Sequence, residues 1–89
     1  MQLDDLLVRY FGATDLAQAG SAAVEAGIER ALVDFGLERD RGARFAIWSL
    51  LALLGRAPAP GVAFDEPADR DAARHLIELL AASEAAGDS

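Results

Sequence analysis

Apolar residues recur along this chain every three or four positions, the spacing of one face of a helix. Leu3, Leu6, Leu7, Tyr10 and Phe11 make the first such stripe, and Gly12 behind them is a natural stop. The spacing predicts a helix over about residues 2–11. Asp4 and Asp5 suit the positive end of its dipole, and Asp5 and Arg9 have the i,i+4 spacing of an ion pair. In "ATDLAQAGS", Thr14 is placed to cap one short helical turn at 15–19, which Gly20 breaks. Ser21 is then the expected cap of a helix over about 21–35. Its face is Val24, Ile28, Ala31, Leu32 and Phe35, and Gly36 is its expected end. Gly27 lies inside this helix at a cost of up to about 1 kcal/mol relative to Ala. Close approach of another helix would explain it.

The next stripe is different. In "GARFAIWSLLALLG", residues 42–55, only Ser49 is polar between Phe45 and Leu54. With Asp40 as cap and Gly55 as stop, the predicted helix spans about 40–54. A bilayer span needs roughly 20 apolar residues, and this run has half that, with Arg41, Arg44 and Arg56 around it. No membrane partner is therefore expected. A helix apolar on every side is instead buried on most of them. The segment "RAPAPGVAF" that follows reads as irregular, because Pro58, Pro60 and Gly61 interrupt both helix and strand. Val62 and Phe64 are expected to pin it to the core. A last helix over about 66–84 takes Pro67 in its first turn. It turns Ala72, Ala73, Leu76, Ile77, Leu79 and Leu80 inward, with Glu66–Arg70 and Arg74–Glu78 as i,i+4 pairs outside. No stretch alternates as a strand does. The expected fold is all-α: a compact bundle of four main helices (about 2–11, 21–35, 40–54 and 66–84) plus the short turn, with the 40–54 helix central. Residues 1–84 read as a single helical domain and 85–89 as a frayed tail.

Composition sharpens one point. Hydrophobic residues are 53% of the 89, but 20 of them are Ala, which leaves 27 larger side chains to make a core. A domain of this size buries only about 60–65% of its unfolded surface, and a lean core gains from association. The surplus of large residues on the 40–54 helix therefore reads as contact surface. The candidate interface residues are Phe45, Trp48 and Leu51, with Val62 and Phe64 as a second patch. The expected partner is a second copy of the chain, as a homodimer.

Charge and cysteine content narrow the function classes. The net charge is -7, and all eight basic residues are Arg. Such a chain is repelled by nucleic acid and by anionic lipid. The absence of cysteine leaves no disulfide framework, thiolate metal site or thiol nucleophile. Acids occupy the start where a secretory leader carries bases, so a cytoplasmic location is expected. Abundant Ala, Gly and Arg without Lys is the usage expected of a GC-rich bacterial coding sequence.

Three polar constellations remain. Arg39, Arg41 and Arg44 crowd the start of the 40–54 helix, the wrong end of the dipole for cations. An anion held by guanidinium forks and exposed N–H groups, with Gly42 allowing close approach, would account for them. Neutralisation by Asp34, Glu38 and Asp40 on a wet surface accounts for them as well. His75, the one histidine, has Asp71 and Glu78 on its helix face, a set able to ligate a metal or relay a proton. One solvent-facing helix does not exclude water as catalysis requires, so the same set reads more simply as surface charge. Asp34–Phe35–Gly36 matches a kinase motif in letters alone. Residues 22–54 form two helices with a short joint, but after Arg44 the second offers Phe, Ile, Trp and Leu rather than the polar side chains that read bases. No catalytic residue, cofactor or metal site is assigned. The function expected is that of a non-enzymatic, self-associating helical interaction module, an adaptor or regulatory protein. The alternative is an anion-binding domain built on Arg39, Arg41, Gly42 and Arg44.

Overall fold

The computed structural model describes residues 3–13 and 15–87, with residues 17 and 85–87 as backbone only. It is all-α: α1 Leu3–Phe11, a 3-10 turn Leu16–Gln18, α2 Ser21–Leu37, α3 Arg41–Leu53, α4 Pro60–Ala63 and α5 Pro67–Gly87. No strand occurs among the described residues. Gln2 and Thr14, expected in the first helix and as a cap, lie outside them.

Helix ends follow local chemistry. At the end of α1, Gly12 adopts φ 73° and its N–H donates to the Val8 carbonyl at 2.9 Å, a left-handed stop that glycine takes without strain. Gly55 does the same after α3 with φ 73°. There the Gly55 N–H reaches Ala52 O at 3.0 Å and the Arg56 N–H reaches Leu51 O at 2.9 Å, the paired bonds of a Schellman end. Asp40 caps α3 as expected, its carboxylate accepting from the Ala43 N–H at 2.8 Å.

Four expected boundaries need correction. The cap of α2 is Gly20, and Ser21 is already helical. Gly36 does not end α2, because its φ stays negative and the chain leaves the helix only at Glu38, in extended conformation. The proline-rich segment is not wholly irregular. Pro60 opens the single turn of α4, where its missing N–H has no partner to lose. Finally, α5 runs through residue 87 rather than fraying from 85, since its Ala-rich end has high helix propensity. Asp88 and Ser89 of the expected tail lie outside the described residues.

Helix α3 is central and packs on α1, α2 and α5. Ile47, Trp48, Leu50 and Leu51 are all buried, joined by Leu6, Tyr10, Phe11, Ile28, Ala31, Phe35, Phe64 and Ala73. Phe64 is the hub of an aromatic cluster, with ring centroids 5.9 Å from Phe35, 5.7 Å from Phe45 and 5.6 Å from Trp48. Edge-on and tilted rings at these distances attract beyond simple burial. Phe64 thus pins the 54–66 segment, as expected. Val62 does not, because it is 82% exposed. Gly27 is a close-approach site: a Cβ built there would lie 2.5 Å from the Tyr10 carbonyl oxygen and overlap the Phe11 ring.

A second tie joins α1 to α2. The Tyr10 hydroxyl donates to Asp34 at 2.8 Å, and Arg9 pairs with the same carboxylate at 3.6 Å rather than with Asp5. Burial of the phenol, then its hydrogen bond to Asp34 and that carboxylate's charge, push Tyr10 up to about 12. Tyr10 is the sole tyrosine, so ultraviolet titration reads it directly. The folded protein is expected to hold the phenol protonated through pH 10, and Asp34→Asn to bring the midpoint down. The folded state binds this proton more tightly than the unfolded chain. The tie's contribution to stability is therefore complete below pH 10 and declines as pH rises toward about 12. An unchanged midpoint in Asp34→Asn would remove the carboxylate from this account.

Candidate functional site

The arginine cluster does not converge on a site. Arg44 turns inward: its guanidinium donates to Phe35 O at 2.7 Å, Glu38 O at 3.1 Å and Ala63 O at 2.7 Å, and it lies 4.2 Å from the Phe35 ring centroid. Arg41 makes a two-pronged pair with Asp69, both bonds 3.1 Å, tying the start of α3 to the start of α5. Arg39 is exposed. Gly42 is exposed, and a Cβ there would meet only the Asp40 carboxylate, at 3.4 Å. The cleft of about 330 Å³ beside Arg41 and Arg44 is walled by Asp65, Glu66 and Asp69, so three carboxylates surround any incoming anion. Arg41 is thus paired with Asp69, and Arg44 is held by backbone carbonyls rather than by the side chains of Asp34, Glu38 and Asp40.

The histidine set is not gathered either. Asp71 pairs with Arg74 at 3.4 Å, and His75 overlies apolar side chains. Among the described residues no three His, Asp or Glu lie close enough to hold a metal ion. No buried side-chain polar atom there lacks a hydrogen-bond partner, so no interior group is left aimed at a ligand.

The five candidate interface residues separate cleanly. Trp48 and Leu51 are 0% exposed, and Phe64 is 4%. Trp48 also donates its indole N–H to Pro58 O at 2.9 Å. These three belong to the chain's own core, because α1, α2, α5 and the 54–66 segment surround α3 more completely than its neighbours in sequence suggest. They offer no surface to a partner. Val62 is exposed on α4 alone. Phe45 is half-buried and lines something the sequence did not single out.

That feature is a groove between α3 and α5. It holds about 340 Å³ and is lined by Phe45, Ser49 and Leu53 from α3 and by Ala72, His75, Leu76 and Leu79 from α5. The Arg41–Asp69 pair ties the starts of the two helices, and in the groove Leu53 and Leu79 stand half-exposed, 50% and 52%. Ser49 adds no polar demand, since its hydroxyl donates to Phe45 O at 2.7 Å. A second cleft of about 320 Å³ lies on the opposite flank of α5, over Trp48, Ala52 and Ile77. Both openings have one cause: of the described α5 side chains, only Ala73 is buried. The sequence signal was present, since six apolar positions on α5 cover more of its circumference than one neighbouring helix can bury. Compared with protein-family models, with curated proteins and with solved structures, the chain matches none.

Proposed function

We propose that this protein is a non-enzymatic interaction module, an adaptor or regulatory protein, that receives a helix in the groove between α3 and α5. One observation carries the reading: large apolar side chains from two helices line an open trough and are left half-exposed. Burying a Leu or Phe contributes about 1.5–3 kcal/mol, so a partner that covers this surface gains from each. The trough is at the small end of cavities that enclose whole ligands. Its shape suits side chains at i, i+3, i+4 and i+7 of an amphipathic helix. The anion-binding alternative draws no support, because Arg41 and Arg44 are already engaged and carboxylates wall their cleft.

The test is an NMR titration with an amphipathic helical peptide carrying a Leu stripe and Gln elsewhere. Amide shifts are expected along 45–53 and 72–79. Leu79→Asp, at a half-exposed position that leaves the core untouched, is expected to weaken binding by roughly tenfold or more. Shifts elsewhere, or none, would defeat the reading.

A further inference from the structure

Resting on that reading, we infer that the occupant of the α3–α5 groove is a basic amphipathic helix, one that carries Arg or Lys along a single flank of its apolar stripe. Charge is distributed unevenly around the groove. Its lining holds no Asp, Glu or Arg. Past Arg44, α3 carries no charged residue, so the α3 side is neutral. The α5 side is acidic. Asp71 stands one turn before the groove-lining His75 and Glu78 one turn after it, both exposed. They share the His75 face, on the flank of α5 turned away from the buried Ala73. The nearby arginines do not cancel them. Arg41 is engaged with Asp69, and Arg70 donates to the Phe64 carbonyl. Arg74 reaches Asp71 at 3.4 Å in an exposed pair, which is worth little. Glu78 has no ion pair among the described residues, because Arg74 turns to Asp71 instead.

Spacing gives the partner its register. Asp71 and Glu78 are two helical turns apart, about 10.5 Å along α5. A helix lying along α5 presents one flank at i and i+7 with the same repeat, beside an apolar stripe at i, i+3, i+4 and i+7. The long stem of an Arg or Lys covers the apolar edge of the groove while its head reaches a carboxylate, as flanking charges do beside a coiled-coil seam. The neutral α3 side calls for no charge on the opposite flank. The net charge of -7 adds a long-range attraction for such a helix. A second copy of this chain, itself at -7, meets repulsion instead.

Three helical peptides with the same Leu stripe, titrated into the full chain, test this. They differ only at i and i+7 on one flank, where they hold Lys, Gln or Glu. Each exposed ion pair is worth a factor of about two to three. The Lys peptide is therefore expected to bind roughly fivefold more tightly than the Gln peptide at low salt, and the Glu peptide more weakly than either. The Lys advantage is expected to vanish at about 1 M salt, where screening acts within about 3 Å. Asp71→Asn with Glu78→Gln is expected to erase it with an unchanged helical spectrum. Glu29→Lys, at an exposed position of α2, raises the net charge by the same amount away from the groove and is expected to retain it. Equal affinity for the three peptides overturns the basic partner and keeps the groove as a binding surface. So does a Lys advantage that Glu29→Lys reduces as far as the double variant does, since net charge alone then explains it. A chain that dimerises through 45–53 and 72–79 and so excludes the Lys peptide overturns the inference in favour of a second copy. If no peptide binds, the groove reading falls together with this one.

Discussion

Arg44→Ala is expected to lower stability by about 3 kcal/mol, since hydrogen bonds to a charged group contribute about 1.5–3 kcal/mol each and do not add fully. In a chain of this size that shifts the melting temperature by more than about 10 °C. The guanidinium spans three carbonyls from two elements: Phe35 and Glu38 at the end of α2, and Ala63 at the end of α4. The last carbonyls of a helix have no partner within it. Arg44 satisfies them at both helix ends at once while stacking on Phe35. Arg44→Met keeps the stem and loses the donors, so most of the loss should persist in it. Arg44→Lys supplies a point charge without the planar fork and is expected to recover less than half. Urea unfolding of the three variants checks this. A loss below about 1 kcal/mol in Arg44→Ala would mean that water takes over the carbonyls.

The same residue shows where sequence reasoning stopped. Arginines at the start of a helix oppose that helix's own dipole, and the conflict was visible in "ERDRGAR". Its resolution was not visible, because it lies in another element. The start of α3 sits against the end of α2, so Arg44 is simultaneously at a helix C-terminus, where a cation is favoured. A dipole argument confined to one helix could not include that neighbour. The order of the four long helices, by contrast, was legible, though the α4 turn was not, because 3.6-residue periodicity and the glycine stops act locally: Gly12 and Gly55 end their helices in the left-handed conformation the sequence implied. Gly36 looked identical on paper. It remains helical because α2 keeps bonding past it, the Glu38 N–H reaching Asp34 O at 2.8 Å.

Burial around α3 was half legible. That "FAIWSLLALL" fills a core follows from its length and its lack of a polar face. Which residues remain outside depends on how many neighbours arrive and at what angle. The indole of Trp48 is enclosed by a loop whose Pro58 carbonyl accepts its N–H, and no local pattern specifies that contact. On α5 the expectation erred the opposite way: of the six apolar positions read as facing inward only Ala73 is buried, and Leu79 and Ile77 stay 52% and 43% exposed. The groove is the difference between the apolar surface the sequence supplies and the part its own fold covers.

Gly27→Ala is expected to cost a net 2–3 kcal/mol, against the general rule that Ala in a helix is favoured over Gly by up to about 1 kcal/mol. Overpacking in a close contact typically costs 1–3 kcal/mol and sometimes more. Here one of the obstructing atoms is backbone: the added methyl carbon would stand 2.5 Å from the Tyr10 carbonyl oxygen as well as against the Phe11 ring. A side chain can rotate away, but a carbonyl moves only if α1 moves. That displacement would also stretch the Tyr10–Asp34 bond on the same interface. Gly36→Ala is the internal control, because Gly36 is helical with nothing within 4 Å of an added Cβ. It is expected to gain roughly 0.5–1 kcal/mol. The two glycines share one helix and one substitution, so opposite signs in urea unfolding isolate the α1–α2 contact as the cause. If both variants gain, α1 is free to slide on α2, and the seating of Phe11 beneath Gly27 is not a constraint on the fold.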